Sequence, residues 1–427
     1  MPSTHNGMEF LPKEIMYNNT CIERIEISGC DSLKHFAIGQ LPPTLKRLCI
    51  QNCKSMIILL DEDDANSCNT STSLLEFLEI WKCPSLKFLT SSVELLATLK
   101  HLDVKDCGKL VSIAKSEELP ATLQHLTIWN CGQLESIAKS EELPATLQQL
   151  NIKYCRQLES IAKSFHHNSS LEKIKIWRCE NLKSLPTGIH TLSHLDTIDI
   201  YNCPTLVSFQ DGGLLPSNLR ELRIFGMALP KCIHNITSLQ NLYIWRSPSV
   251  VSSFPDEGFP ANLTSLTIWY CNFTEALLEW GLHRLTSLQH LSITGECPNV
   301  ESFPEKMLPA SLTTLTIREC ENLTSFPEDG LPPSLQKLTI GSFPNLKNLH
   351  SLRNLTSLEN LDITKCKNLT SFPVDGLPPS LQQLSITHCP LLGEHCKKDQ
   401  GREWSKIAHI PCVHIDYRFV FDLEEKD

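Results

Sequence analysis

The sequence contains no apolar run approaching a membrane span, no excess of positive charge and none of the signatures of the common catalytic sites. The first absence, with no secretory leader before Phe10, argues for a cytoplasmic, reduced chain. The second is quantitative. Thirty-eight Lys and Arg stand against 48 Asp and Glu, and a net charge of −10 repels nucleic acid and anionic lipid. The third removes G-x-x-x-x-G-K-[ST], G-x-S-x-G, H-E-x-x-H and the kinase set, so no enzyme and no cofactor are expected. Aromatic residues are scarce as well, at 7%, with only seven tryptophans. Where those few cluster is therefore informative.

What is present is a repeat. From Lys115 to Ala162 the chain reads KSEELPATLQHLTIWNCGQLESIA and then KSEELPATLQQLNIKYCRQLESIA, two tandem blocks of 24 residues. Their shared skeleton is Leu123, Leu126, Ile128, Cys131 and Leu134, followed by Leu147, Leu150, Ile152, Cys155 and Leu158. A fixed period with that apolar spacing is the mark of a leucine-rich-repeat solenoid, which grows by stacking coils instead of enlarging one core. Each L-x-x-L-x-I core predicts a short strand with its alternate apolar residues turned inward. The predicted fold class is an α/β solenoid, a horseshoe with a concave parallel β-sheet. Its returns, such as Leu323 to Leu335 and Leu369 to Leu381, carry helix-breaking Pro and Gly, so the convex side should be mostly irregular.

The 19 cysteines resemble a disulfide framework until they are placed. Cys30, Cys53, Cys83, Cys107, Cys131, Cys155, Cys179, Cys203, Cys271, Cys320, Cys366 and Cys389 share one repeat position, and Cys297 falls one residue late. A buried, weakly polar thiol suits such a ladder, and no pairing between coils is expected in a reducing compartment.

Taken in order, residues 1–392 read as a solenoid of about 16 units, and 393–427 as a C-terminal cap with an acidic tail. An acidic, Ser/Asn/Thr-rich insert at 61–73 predicts a flexible loop and matches no calcium-ligand spacing. In the cap, Glu403 to Ala408 predicts a helical stretch, while Val413, Ile415, Tyr417 and Phe419 alternate as one strand would. His388, Cys389, His395, Cys396, His409, Cys412 and His414 collect there, but their spacings fit no familiar zinc pattern, and no metal site is expected. The front end has no comparable closure, which predicts either a missing N-terminal region or a partner covering the first coil.

The informative positions lie outward on the sheet. The residue after the third apolar position is, in order, Trp81, Lys105, Trp129, Lys153, Trp177, Tyr201, Phe225, Trp245, Trp269, Thr294 and Arg318. Five of the seven tryptophans occupy this column, and five consecutive coils from Trp177 carry a ring there. With strands about 4.8 Å apart, the rings should stack as an exposed ridge. Arg178, Arg223 and Arg246 lie one or two residues away and are expected in the same strands. Such rings either stabilise the sheet or form a partner-binding surface, since Trp, Tyr and Arg dominate interface hot spots. The candidate binding residues are therefore Trp81, Trp129, Trp177, Arg178, Tyr201, Arg223, Phe225, Trp245, Arg246, Trp269 and Tyr270.

The repeats, with G-L-P-x-[ST]-L-x-x-L-x-I-x-x-C-x-x-L in full from Gly376 to Leu392, resemble the leucine-rich-repeat region of plant nucleotide-binding disease-resistance proteins. The ending PLLGEHCKKDQGREWSKIAHIP is similar to the terminal segment of their coiled-coil class. The resemblance implies a protein-recognition module of innate immunity. Its partner would be a pathogen effector, a guarded host protein or the N-terminal nucleotide-binding domains of a receptor. The family's nucleotide-binding part has no counterpart here. The alternative is a general interaction scaffold, decoy or relic without immune signalling.

Overall fold

The computed structural model describes residues 9, 11, 21–38, 41–61, 74–138, 142–166, 169–206, 208–209, 213–230, 232–246, 258–270, 281–295, 307–324, 330–349 and 352–420. The remainder of the acidic insert from residue 62, and the cysteines at 271 and 297, lie outside them. The chain forms two compact units, Met1–Pro230 and Lys231–Asp427, and the division falls inside the short repeat between Leu219 and Leu239.

In both units five-residue strands recur once per repeat and pair in parallel. In the first, Phe77–Trp81, His101–Lys105, His125–Trp129, Gln149–Lys153, Lys173–Trp177 and Thr197–Tyr201 run side by side with like positions opposite one another. In the second, Asn241–Trp245, Ser265–Trp269, His290–Thr294, Thr314–Arg318, Lys337–Gly341, Asn360–Thr364 and Gln383–Thr387 do the same. The expected alternation is visible in Lys173–Trp177, where Ile174 and Ile176 are buried and Lys173, Lys175 and Trp177 face outward. The architecture is a leucine-rich-repeat solenoid. Its returns hold one-turn 3-10 helices such as Val93–Leu96 and Leu282–Arg284, plus a small parallel sheet of Ala37–Ile38, Ile58–Asp61 and Phe88–Thr90.

Three ladders fasten one coil to the next. Thr122, Thr146, Ser334 and Ser380, each just before the first Leu of a repeat, donate their hydroxyls to the Leu carbonyl of the preceding coil at 2.8–2.9 Å. The residue after each strand sits in the left-handed region, at φ 54° in Asp106 and 53° in Arg178, for example. Its backbone N–H donates to the last strand carbonyl of the following coil, as from Asn130 to Lys153 and from Tyr154 to Trp177.

The third ladder is the thiol column. Cys83, Cys107, Cys131, Cys155 and Cys179 each donate to the carbonyl two residues back, at 3.4–3.7 Å. These five thiols are free and fully buried. The adjoining Cys107 thiol and burial push Cys83 up to about 12, and burial pushes Cys155 up to about 11. Because the thiolate is the reactive form, the ladder should be inert while folded. Native-state labelling with a disulfide reagent, read by peptide mass mapping, is expected to modify exposed Cys21 at once and Cys131, Cys155 and Cys179 only after denaturant. Labelling of those three at the rate of Cys21 would mean that the coils open freely.

The C-terminal region packs onto the strand Gln383–Thr387. Pro390–His395 and Trp404–Ile407 are helical, and Cys412–Ile415 pairs in parallel with Gln383–Thr387. The single strand expected from Val413 to Phe419 is instead a hairpin. Asp416 and Tyr417 adopt φ 45° and 68°, and Arg418–Phe419 returns antiparallel to His414–Ile415. Alternation alone does not register two consecutive left-handed residues, which reverse the chain.

Candidate functional site

The aromatic column is real in placement but differs in geometry from the expected exposed stack. In the first unit the Trp177 and Tyr201 centroids are 6.1 Å apart and tilted by 59°, and Tyr201 and Phe225 are 4.8 Å apart at 48°. In the second, Trp245 and Trp269 meet edge to face at 4.9 Å and 79°. The edge-to-face choice follows from the ring quadrupole, which disfavours a direct sandwich. These five side chains are half-buried, and Trp129, at 45% accessible, is the most open member of the column. They shield one another, so the sheet presents ring edges as much as faces.

Arg178, Arg246 and Tyr270 do not lie in the strands. They are the left-handed residues immediately after them, at φ 53°, 46° and 52°, and project alongside the column. Stacked contacts therefore run diagonally between coils: Trp129 to Tyr154 at 6.0 Å and 24°, and Trp245 to Tyr270 at 6.2 Å and 27°. The Arg178 guanidinium lies 5.4 Å from the Tyr154 centroid, and that of Arg246 5.5 Å from Tyr270. Arg223 does belong to its strand, where it pairs with Glu221. Trp81 is fixed by its indole N–H, which donates to Asp106 Oδ2 at 3.0 Å, and the Lys82 ammonium sits 4.4 Å over its ring.

A left-handed backbone costs an L-residue roughly 1–2 kcal/mol, which Gly avoids and Asn partly offsets. Asn52, Asn130 and Asn202 fit that rule; Tyr154, Arg178, Arg246 and Tyr270 do not. Glu319 and Lys365 hold the same position in other coils, so the angle belongs to the repeat; what distinguishes Tyr154, Arg178, Arg246 and Tyr270 is that each also makes a ring contact. Arg246→Gly is expected to leave thermal stability unchanged or higher, within about 1 kcal/mol, while weakening partner capture. A clear fall in unfolding temperature would show that Arg246 serves packing alone.

A second outward column was not anticipated. At the first strand position Phe77 and His101 stack at 4.2 Å and 5°, His101 and His125 at 4.4 Å and 8°, and the Arg47 guanidinium lies 4.1 Å over Phe77. With Arg24, Cys49, Glu79, Asp103 and Thr127 these residues line a pocket of about 270 Å³. Burial, then the neighbouring His125 and Arg47, holds the His101 imidazole below its usual range. The signal for this column is the 24-residue recurrence of Phe77, His101 and His125 at the first strand position.

Among the described residues, no group of three or more His, Cys, Asp or Glu is arranged to hold a metal ion. The cap residues singled out in the sequence have local partners: His395 Nδ1 is 2.8 Å from the Thr370 carbonyl, Cys389 donates to the Thr387 carbonyl at 3.4 Å, and Cys412 Sγ lies 3.6 Å from His414 Nδ1. Among the described residues, no helix is long and apolar enough to cross a membrane.

Residues 62–210 match the family model described as "Plant disease resistance protein RPS2-like, leucine-rich repeats". No curated protein matches the chain. Among solved structures it is similar to a leucine-rich-repeat protein of Leptospira interrogans, at 17% identity over 88% of this chain and 90% of that one, with a TM-score of 0.49. The functional domain of InlJ from Listeria monocytogenes, described as including a cysteine ladder, is 15% identical over 84% and 75%, with a TM-score of 0.45.

Proposed function

We propose that this chain is a cytoplasmic, non-catalytic protein-recognition module of plant innate immunity. It binds a pathogen effector, a guarded host protein or the nucleotide-binding domains of a receptor through the outward sheet faces of its two units. The observation that carries the reading is the column of rings and its left-handed neighbours. Trp177, Tyr201 and Phe225 with Arg178 lie on one unit, and Trp245 and Trp269 with Arg246 and Tyr270 on the other. Tryptophan, tyrosine and arginine are the residues that most often carry interface energy. The match of residues 62–210 to the plant resistance-protein repeats supports the immune context, as do the GLPPSLQQLSITHCPLL repeat and the PLLGEHCKKDQGREWSKIAHIP ending.

The test is co-immunoprecipitation against a panel of pathogen effectors and against nucleotide-binding domains supplied in trans, comparing the native chain with Trp245→Ala/Trp269→Ala. Specific capture of a panel member, lost in the double variant, is the expected result. Failure across the panel, with unrelated proteins captured through the same rings, would leave the general scaffold in place of the immune reading.

A further inference from the structure

Several cations of this solenoid are matched by an acid of a neighbouring coil. In the first unit Lys46 pairs with Glu23 at 2.9 Å, Lys54 with Asp31 at 2.7 Å, Lys100 with Glu76 at 2.8 Å and Lys183 with Glu159 at 2.6 Å. Each partner lies one repeat upstream. On a chain of net charge −10, several unmatched cations gathered in one place are a local reversal of sign.

One such cluster surrounds Trp177. The strand Lys173–Trp177 turns Lys173 and Lys175 outward, Arg178 follows in the left-handed position, and Lys153 lies opposite Trp177 in the adjacent strand. Among the described residues none of the four forms a salt bridge. The Lys153 ammonium rests instead 3.8 Å over the Trp177 ring, and the Arg178 guanidinium lies over Tyr154. Several acids of the adjoining coils are already engaged or buried. Glu221 pairs with Arg223, Glu180 with Arg156, and Asp199 is buried, 7% accessible, opposite Lys175. Burial and the charge of Lys175 hold Lys153 below the usual lysine range, only partly countered by Asp199, so the like charges repel one another here.

We infer that this face takes an acidic segment of a protein partner, whose carboxylates meet Lys153, Lys173, Lys175 and Arg178 while an apolar side chain settles on Trp177 and Tyr201. The inference rests on the protein-recognition reading and names the chemistry of its partner. Opposite charge would relieve the repulsion and steer the encounter. The lysines lie on regular strands, and the two on one strand are two residues apart, so an extended segment running along them can present a carboxylate to each in turn.

The probe is fluorescein-labelled hexaglutamate, titrated into the full chain by fluorescence anisotropy, with hexalysine and a short oligothymidylate as comparators. Hexaglutamate should bind at least about tenfold more tightly than either comparator, and its affinity should fall about fivefold or more between 50 and 300 mM salt. Lys153→Glu/Lys173→Glu/Lys175→Glu should abolish binding. Reversing Lys46, Lys100 and Lys183 together, which changes net charge equally, should weaken it far less. If the triple reversal unfolds by circular dichroism, Lys→Gln at the same three positions replaces it. Retention of hexaglutamate affinity in that variant would overturn the inference, as would tighter binding of oligothymidylate. The outcomes separate from those of the proposed function. Trp245→Ala/Trp269→Ala lies on the other unit, and should spare hexaglutamate binding whether or not it abolishes partner capture.

Discussion

Alanine at both Trp245 and Trp269 is expected to lower partner affinity by at least about 100-fold, because truncating an interface hot spot costs about 2 kcal/mol or more and each 1.4 kcal/mol is a factor of ten. From the sequence alone, thermal unfolding should be nearly unchanged, since the rings were expected on open display. The structure modifies that expectation. The two indoles meet at 4.9 Å edge to face and are half-buried, so the double variant also loses an aromatic pair contact of about 0.5–1.5 kcal/mol. Buried side chains beneath them, Leu242, Ile244, Leu266 and Ile268, remain in place. A fall of a few degrees is therefore expected, at about 2–4 °C per kcal/mol for a domain of this size. Surface plasmon resonance with an identified partner and differential scanning calorimetry on the same preparations separate the two effects. If calorimetry shows collapse of the unit together with loss of binding, the rings are core and the recognition surface lies elsewhere.

The periodic part of this molecule is legible in its sequence because one short rule is repeated. Leu, Leu, Ile and Cys at fixed offsets can bury themselves only by stacking, and Leu126, Ile128 and Cys131 are accordingly inaccessible. Even the thiols follow, since a carbonyl two residues back is the nearest acceptor each time. Less legible is what depends on a single backbone angle. Arg178, Arg246 and Tyr270 are adjacent to strands in sequence, yet their positive φ rotates them out of the strand's alternation. The same cause hides the hairpin at Asp416–Tyr417. Nor does residue spacing reveal that Trp245 and Trp269 meet edge-on, or that Lys153 lies over Trp177; those choices are made between side chains of neighbouring coils. The Phe77–His101–His125 stack belongs to a different class. Its members recur at the same 24-residue interval, at the first strand position, so it is legible in the sequence.

Removing one carboxylate from the C-terminal cap should have the largest effect on stability. Glu403 is 5% accessible; its Oε2 accepts the backbone N–H of Phe372 at 3.0 Å and the Lys406 ammonium at 2.9 Å. Lys406 in turn donates to the Phe372 carbonyl at 3.2 Å. The pair thus clamps both polar backbone groups of one buried residue in the return segment of the last coil. Gly401 helps to bring Glu403 there: a Cβ at that position would sit 2.1 Å from the His395 carbonyl oxygen, and Glu403 N–H donates to the same carbonyl. Glu403→Ala strands the Phe372 N–H without an acceptor and leaves a half-buried ammonium unpaired, a loss of about 3–5 kcal/mol for a broken buried pair. Glu403→Gln keeps an acceptor and should cost less, about 1–2 kcal/mol. Because Cys412–Ile415 pairs with Gln383–Thr387, the damage should appear first in that strand and at the Cys389 thiol and spread inward. Hydrogen exchange followed by mass spectrometry reads this directly: accelerated exchange in 383–387 in the alanine variant, a smaller effect in the glutamine variant, and none in the first unit. Unchanged exchange in Glu403→Ala would show that the apolar contacts of Ile407, Ile410 and Val413 hold the cap without the clamp.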